Sequence, residues 1–344
     1  MFYFHQATVF PSERLSLLDD SLVEEIRDGK ILAPEPANLE IPQNLIRRMG
    51  KGVRMAIKCA FPILKSHNVN AIIIGTSSAG HKDSIDFLEQ IRLYDEGILT
   101  PLNFVRGVPN SIATQLALLN SNTGYNNTHV HKGLAFEGAL FDAFAYLAEF
   151  DSHKVIVGSV DEISRLNFKI DLKNGYYHGK SIKAKSYYSS GLIGTVAGEG
   201  ASTFLISKCS KNAIGKLLCL KTFHCSTGNE LKSKIIFFLD KLSKNVNVDV
   251  LVSGESGDSE HVVFPEIIES FFSKIPVIRF KHICGDFPTA SSIGLGISIQ
   301  IINKKSIPQS YIKNKILIKT PLKHILVYNH YHGIQHSLML VSTP

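Results

Sequence analysis

The chain has 344 residues, 44% of them hydrophobic and 19% charged, with a net charge of +7; these are the proportions of a globular protein long enough for one large core or two fused halves. No uninterrupted apolar run is long enough to span a bilayer. The five cysteines (Cys59, Cys209, Cys219, Cys225, Cys284) are scattered without a CxxC pair or a Cys/His group at metal-ligand spacing, so reduced thiols in a cytoplasmic protein, no metal and no cofactor are expected.

The start, Met1-Phe-Tyr-Phe-His-Gln, reads as a first strand and lacks the basic segment of a signal peptide. A short acidic helix over 18–27 and a Pro-rich connector follow, then one long amphipathic helix from Asn44 to His67 with Pro62 near its end. Val69 to Gly75 is an apolar strand, the mark of a sheet covered on both faces. The loop Gly75-Thr-Ser-Ser-Ala-Gly80 after it lacks phosphate-loop spacing. Ser84 to Leu93 and Asn110 to Leu119 read as helices, with a turn at Leu99-Thr-Pro101 between them. The stretch from Asn127 to Ala143 reads as a strand end, a polar turn over 128–133 and a buried helix from Leu134. The N–H groups that open such a helix favour a nucleophile or an anion, yet no Cys or Ser lies between Thr128 and Ala143.

Lys154 to Val160 is a further buried strand, and 165–190, rich in Tyr, Lys and Gly, reads as a surface excursion. Gly198-Glu-Gly-Ala201 reads as a turn, with a strand from Thr203. Beyond it come strands at Leu217 to Phe223, Val248 to Val252 and Val277 to Lys281, and helices at Leu231 to Leu242, Pro265 to Phe272 and Ser291 to Ile302. A closing hairpin joins Ile325–Tyr328 to Ser337–Val341. Ala71-Ile-Ile-Ile-Gly-Thr-Ser is echoed by Val250-Leu-Val-Ser-Gly-Glu-Ser, and the 128–147 stretch by Cys284-Gly-Asp-Phe-Pro and its helix. A duplicated α/β unit follows, two sheets with helices between and around them. The halves are 1–164 and 194–344, with 165–193 as the excursion.

Four motifs in this order resemble the β-ketoacyl synthases of the thiolase fold. They are Thr100-Pro-Leu-Asn-Phe104 with Val108-Pro-Asn110, Val157-Gly-Ser-Val-Asp-Glu162, Gly198-Glu-Gly-Ala201, and Val327-Tyr-Asn329 with Gly333. The resemblance implies a layered αβαβα fold. It also implies three catalytic groups: a thiolate Cys at the helix start that carries the acyl chain, and two His that stabilise the enolate formed on decarboxylation. The Cys position falls on Val130, the first His on Gly254 and the second on Asp286, while Lys281 is retained. Such losses resemble chain-length-factor subunits, inactive partners of an active synthase, and most of all those of aryl polyene and flexirubin pigment clusters.

The resemblance implies a heterodimer with an active β-ketoacyl synthase, completed through the strand at 154–160, with Phe104, Asn110, Ile112 and Phe136 at the tunnel or interface. It implies contact with acyl carrier protein through the complex. The basic residues are dispersed and interleave with no aromatic stripe, so no nucleic-acid partner is expected, whereas an acidic carrier protein suits the surface by steering. The rival reading is a thiolase-fold acyltransferase or hydrolase using Asp286, Glu255, or His129 or His131, with Asp258 completing a carboxylate set. His129, His131 and Lys132 otherwise fill the volume of the lost site; no carboxylate adjoins either His in the sequence. Glu137 reads as a cap or interface group, and His330, His332 and His336 as one face of a surface or interface strand.

Overall fold

The computed structural model describes residues 1–344 apart from 11–24, 98, 243–245, 305–306, 315 and 318–320. The N-terminal half contains β1 (Phe2–Phe10), β2 (Glu25–Ile26), β3 (Lys30–Ile31), α1 (Gln43–Ile46), α2 (Lys51–Ser66) and β4 (Ala71–Thr76). It continues with α3 (His81–Tyr94), α4 (Pro101–Arg106), α5 (Ser111–Leu119), β5 (Tyr125–Val130), α6 (Ala135–Glu149) and β6 (Val155–Asp161). The chain then runs through α7 (Arg165–Lys173), β7 (Ile182–Lys183), β8 (Ala197–Gly198), β9 (Gly200–Ser207), β10 (Gly215–His224) and α8 (Gly228–Lys241). Last come β11 (Val250–Ser253), α9 (Val263–Phe271), β12 (Val277–Arg279), α10 (Lys281–Cys284), α11 (Ser291–Lys304), β13 (His324–Tyr331) and β14 (Gln335–Ser342). Among the described residues no helix is long and apolar enough to cross a membrane.

Ten strands are hydrogen-bonded in the order β12-β11-β13-β14-β10-β1-β9-β6-β4-β5. Two five-stranded halves meet where Phe2, Tyr3 and Phe4 pair with Leu217, Lys216 and Gly215, so the two expected sheets are joined along a short seam. Helices α6 and α11 lie between them, and their side chains share one core with both sheets, including Phe136, Leu140, Phe204, Ile293, Ile297 and Val327. Helices α2 and α5 cover the outer face of the N-terminal sheet, and α8 and α9 that of the C-terminal one. This is the layered αβαβα thiolase architecture, and the fully buried strands β4, β6, β9 and β11 account for their continuous apolar runs.

The local differences have local causes. Chain 44–67 is two helices, broken at Arg47–Gly50, where Gly50 in extended geometry starts α2. The expected turn at Leu99-Thr-Pro101 launches an extra helix, α4, with Pro101 in its first turn. Of the helix expected over 18–27, residues 18–24 lie outside the described residues, and Glu25–Ile26 is extended and paired with Ile182–Lys183. The Gly198-Glu-Gly-Ala segment is extended rather than turned, because Glu199 faces inward to receive the N–H groups of Ala33 and Ile163 and the ammonium of Lys51. The 165–193 segment is packed as well as exposed: α7 is capped by Ser164, and Phe168, Tyr177 and Tyr187 are buried.

The strand at 154–160 cannot complete a dimer. Its β6 is paired on one side with β4 and on the other with β9. Among the described residues β12 and β5 end the sheet, and β5 has a strand neighbour on one side only.

Glu137 neither caps a helix nor reaches the surface. It is 0% exposed, between α6, α11 and β14, and burial pushes its carboxyl up despite the nearby hydroxyls of Ser337 and Ser291. A carboxyl whose pKa is raised on folding withdraws stability as pH rises from the unfolded pKa through the folded one. Glu137→Gln is therefore expected to melt with the wild type at about pH 4 and above it at about pH 8, by on the order of 1 kcal/mol. Thermal melts across that range check this; a difference independent of pH contradicts it.

Candidate functional site

The site begins where β5 hands over to α6. Gly75 on β4 lets the start of α6 approach the sheet: a Cβ there would lie 2.4 Å from the carbonyl oxygen of Ala135. Side chains alternate along β5, and Tyr125, Asn127 and His129 turn to α6, where Asp142 receives all three. The Asn127 amide donates at 2.8 Å, the Tyr125 hydroxyl at 3.1 Å to both oxygens, and His129 Nε2 lies 2.8 Å from Oδ2. A carboxylate therefore does orient His129, but thirteen residues away and about two helical turns into α6, out of reach of a local sequence reading. Val130 is 54% exposed at the end of β5, and His131 is also exposed. Lys132 follows with φ +48, a left-handed conformation uncommon outside glycine.

Opposite stands the loop after α10. Lys281 and Asp286 form an ion pair at 2.7 Å, both buried. Lys281 Nζ also donates to the His330 carbonyl. Burial pushes the Asp286 carboxyl up, with the attraction of Lys281 opposing it. Gly254 has no room for a side chain: a Cβ would meet Asn329 Oδ1 at 2.5 Å and the Tyr328 carbonyl at 2.8 Å. Glu255 is held by Lys313 at 2.7 Å and Arg279 at 3.5 Å. Asp258 accepts from Gly194 and Glu260 N–H groups and lies 2.6 Å from His261 Nδ1, and that hydrogen bond holds His261 above its usual pKa. Asp258, Glu260 and His261 each bring one ligand atom within 4.8 Å of the others. Each of the carboxylates at 255, 258 and 286 has a basic partner of its own, and Glu255 and Asp258 line a second cavity of about 230 Å³ that Asp286 does not reach.

The closing hairpin departs from its expected role. His330 and His336 face each other across β13 and β14 and are buried, while His332 sits in the turn at φ +50. His336 bridges the Tyr328 hydroxyl and the Cys225 carbonyl, at 3.0 and 3.2 Å. Burial lowers His332 to about 3 and His336 to about 4, so these imidazoles are neutral core groups. Continuous apolar burial of the hairpin overrides the polarity of the residue type.

A cavity of about 210 Å³ opens between the 128–133 turn, the β4–α3 loop, α7 and the segment after Asp286. Asp161 is its fixed point. One oxygen accepts from Ser77 N, Ser78 N and Oγ and Thr76 Oγ1, and the other from Thr289 N and Oγ1. Lys132, Asp171, His81, Tyr177 and Tyr331 complete the polar lining. None of Asp286, Glu255, His129 or His131 lines it.

Of the expected tunnel residues, Phe104 is 62% exposed on α4 against Phe87. Asn110 accepts from the Thr128 hydroxyl at 2.8 Å, tying α5 to β5. Ile112 and Phe136 are core residues of this chain with no surface to offer a tunnel or partner, Ile112 beneath α2 and Phe136 against Phe204. Asp142 and Asp171 carry no signal of their own in the sequence, and Asp161 stands out there only as part of a motif. The alternating Tyr-x-Asn-x-His of β5 is the one local signal that a common acceptor lies across from it.

Residues 27–169 match the model of the beta-ketoacyl synthase N-terminal domain. No curated protein sequence matches the chain. Three solved structures share its fold over its whole length. A beta-ketoacyl synthase from Burkholderia phymatum superposes with a TM-score of 0.79 at 12% identity, covering 100% of this chain and 99% of that one. A type II acyl-carrier protein in complex with its ketosynthase gives 0.75 at 12% identity, with 100% and 99% covered. The ketosynthase ApeO with its chain length factor ApeC, from Xenorhabdus doucetiae, gives 0.72 at 12% identity, with 100% and 98% covered.

Removing one member of a buried ion pair strands the other charge. Lys281→Met is expected to cost about 3–5 kcal/mol, and Lys281→Met with Asp286→Leu to recover most of it. Denaturant unfolding of both variants measures this; equal losses contradict the pairing. Gly254→Ala is expected to cost on the order of 2 kcal/mol through overpacking, and an unchanged midpoint contradicts the close approach.

Proposed function

We propose that this β-ketoacyl synthase-like chain of the thiolase fold is a non-catalytic, chain-length-factor-type partner of an active β-ketoacyl-ACP synthase, in the fatty-acid or polyene biosynthesis of aryl polyene or flexirubin type. The observation that carries the proposal is the state of the three positions to which the family's chemistry maps. Val130 lies outside the cavity, Gly254 has no space for an imidazole, and Asp286 is bound to Lys281. Each replacement is fitted to its surroundings, so restoring one group would not restore a thiolate and two imidazoles around one centre.

The open edge of β5 supports pairing. An unpartnered strand edge offers a row of backbone donors and acceptors, and natural chains cover or blunt such edges. Beside it, exposed apolar side chains gather on β5 and on the α4 and α5 segments: Tyr125, Val130, Phe104, Val105, Val108 and Leu118. The resemblance implies pairing through 154–160; the β5 edge takes that place in this proposal, and Phe104 is the residue that would narrow the partner's acyl tunnel. The net charge of +7 suits an acidic acyl carrier protein approaching the complex. All five cysteines are free, as suits a reducing cytoplasm.

Val130→Asp places a charge on an exposed strand end, so its thermal midpoint is expected to stay within about 0.5 kcal/mol of the wild type. Co-elution with the co-expressed synthase is expected to be lost. Retained co-elution counts against β5 as the contact. Phe104→Ala is expected to lengthen the product and Phe104→Trp to shorten it by product mass, and an unchanged chain length removes the chain-length role.

A further inference from the structure

The cavity beside Asp161 contains two opposite charges that the fold leaves unneutralised. Asp161 itself is occupied by backbone and hydroxyl donors from both halves, and Glu162 turns to the N–H of Gly52 at 2.7 Å. Asp171 on α7 and Lys132 at the rim remain. Among the described residues neither forms a direct ion pair, although each feels the other electrostatically. The Lys132 backbone is in the left-handed region, a costly choice for a residue with a side chain and one that clusters at ligand sites. Tyr177 and Tyr331 lie within the field of Asp171 and line the same cavity.

We propose that this cavity binds a small zwitterion of amino-acid size. The ammonium sits against Asp171 beside the rings of Tyr177 and Tyr331, and the carboxylate lies at the rim with Lys132. Three observations carry the assignment. The volume of about 210 Å³ is below the range of roughly 300–1,000 Å³ that holds larger ligands, and its lining joins polar groups to the apolar side chains of Ile163, Phe168, Ile170 and Phe287, as suits a short molecule with charged ends and an aliphatic middle. Asp171 lines the cavity half-buried and the single lysine stands exposed at the rim, so the field orients a molecule bearing both charges. Aromatic faces beside a carboxylate are a favourable setting for an ammonium. Burial raises the Asp171 carboxyl, which a bound cation would bring back down. The proposal is independent of pairing with a synthase, since Lys132 and Asp171 belong to the cavity and not to the β5 edge.

Calorimetric titration near neutral pH with γ-aminobutyrate, butyrate and butylamine tests it. γ-Aminobutyrate is expected to bind at least about tenfold more tightly than either singly charged analogue, the range a desolvated charge contact supplies. Asp171→Asn should weaken γ-aminobutyrate and butylamine alike, and Lys132→Gln should reduce γ-aminobutyrate to the level of butylamine. In the wild type, the methyl resonances of Ile163 and Ile170, both lining the cavity, should shift with γ-aminobutyrate and not with butyrate; this readout holds if a variant fails to fold. Equal binding of the three probes, no binding at millimolar concentration, or unshifted Ile163 and Ile170 methyls overturns the proposal. Co-elution with a synthase, measured beside it, reports on the pairing alone.

Discussion

The carboxylate of Asp161 is the joint on which the molecule depends. It closes β6, receives the loop that follows β4 on one oxygen and the start of α11 on the other, and so fastens the N-terminal half to the C-terminal half at a buried point. Six neutral donors satisfy its lone pairs. Everything around the cavity takes its position from this joint: Ser77 and Ser78 on one wall, the segment from Phe287 on another, and Glu162 turned back to α2. The short seam of β1 with β10 and the shared core of α6 and α11 then hold the two sheets together.

Around that joint the electrostatics are closed locally. Lys281 meets Asp286, Lys313 and Arg279 meet Glu255, and His261 meets Asp258. An acid–base catalyst needs titratable groups that converge on one substrate position. Here the candidates point at their own partners instead. The same neighbourhood in a synthase would hold a thiolate at the start of a buried helix. In this chain the helix is present and its start is occupied by a left-handed lysine beside an exposed valine.

The long-range architecture was legible in the sequence because it rests on burial. Strands β4, β6 and β11 each open on an unbroken apolar run, and the two echoing strand–loop–helix segments disclose the duplicated half. What stayed hidden depended on partners far along the chain. His129 gained a carboxylate from Asp142 on the next helix, Glu199 was drawn inward by Lys51, and His330 and His336 became core because both faces of their hairpin are covered. Ile112 and Phe136 read as lining residues by analogy, and the packing of α2 and of Phe204 puts them inside. Strand order was likewise invisible: 154–160 is apolar because it is central, and the polar strand 125–130 is the edge. Edge strands are blunted by polar side chains, which is why the less conspicuous of the two strands is the one left open.

Under the proposed function this chain contributes shape and no chemistry. Incubation of the purified chain alone with acyl-carrier and malonyl-carrier protein, followed by intact mass measurement, tests it most directly. The account predicts an unmodified chain and no condensed product, with product appearing once an active synthase is added. An acyl adduct on this chain, or a condensed product in the absence of a synthase, would contradict it.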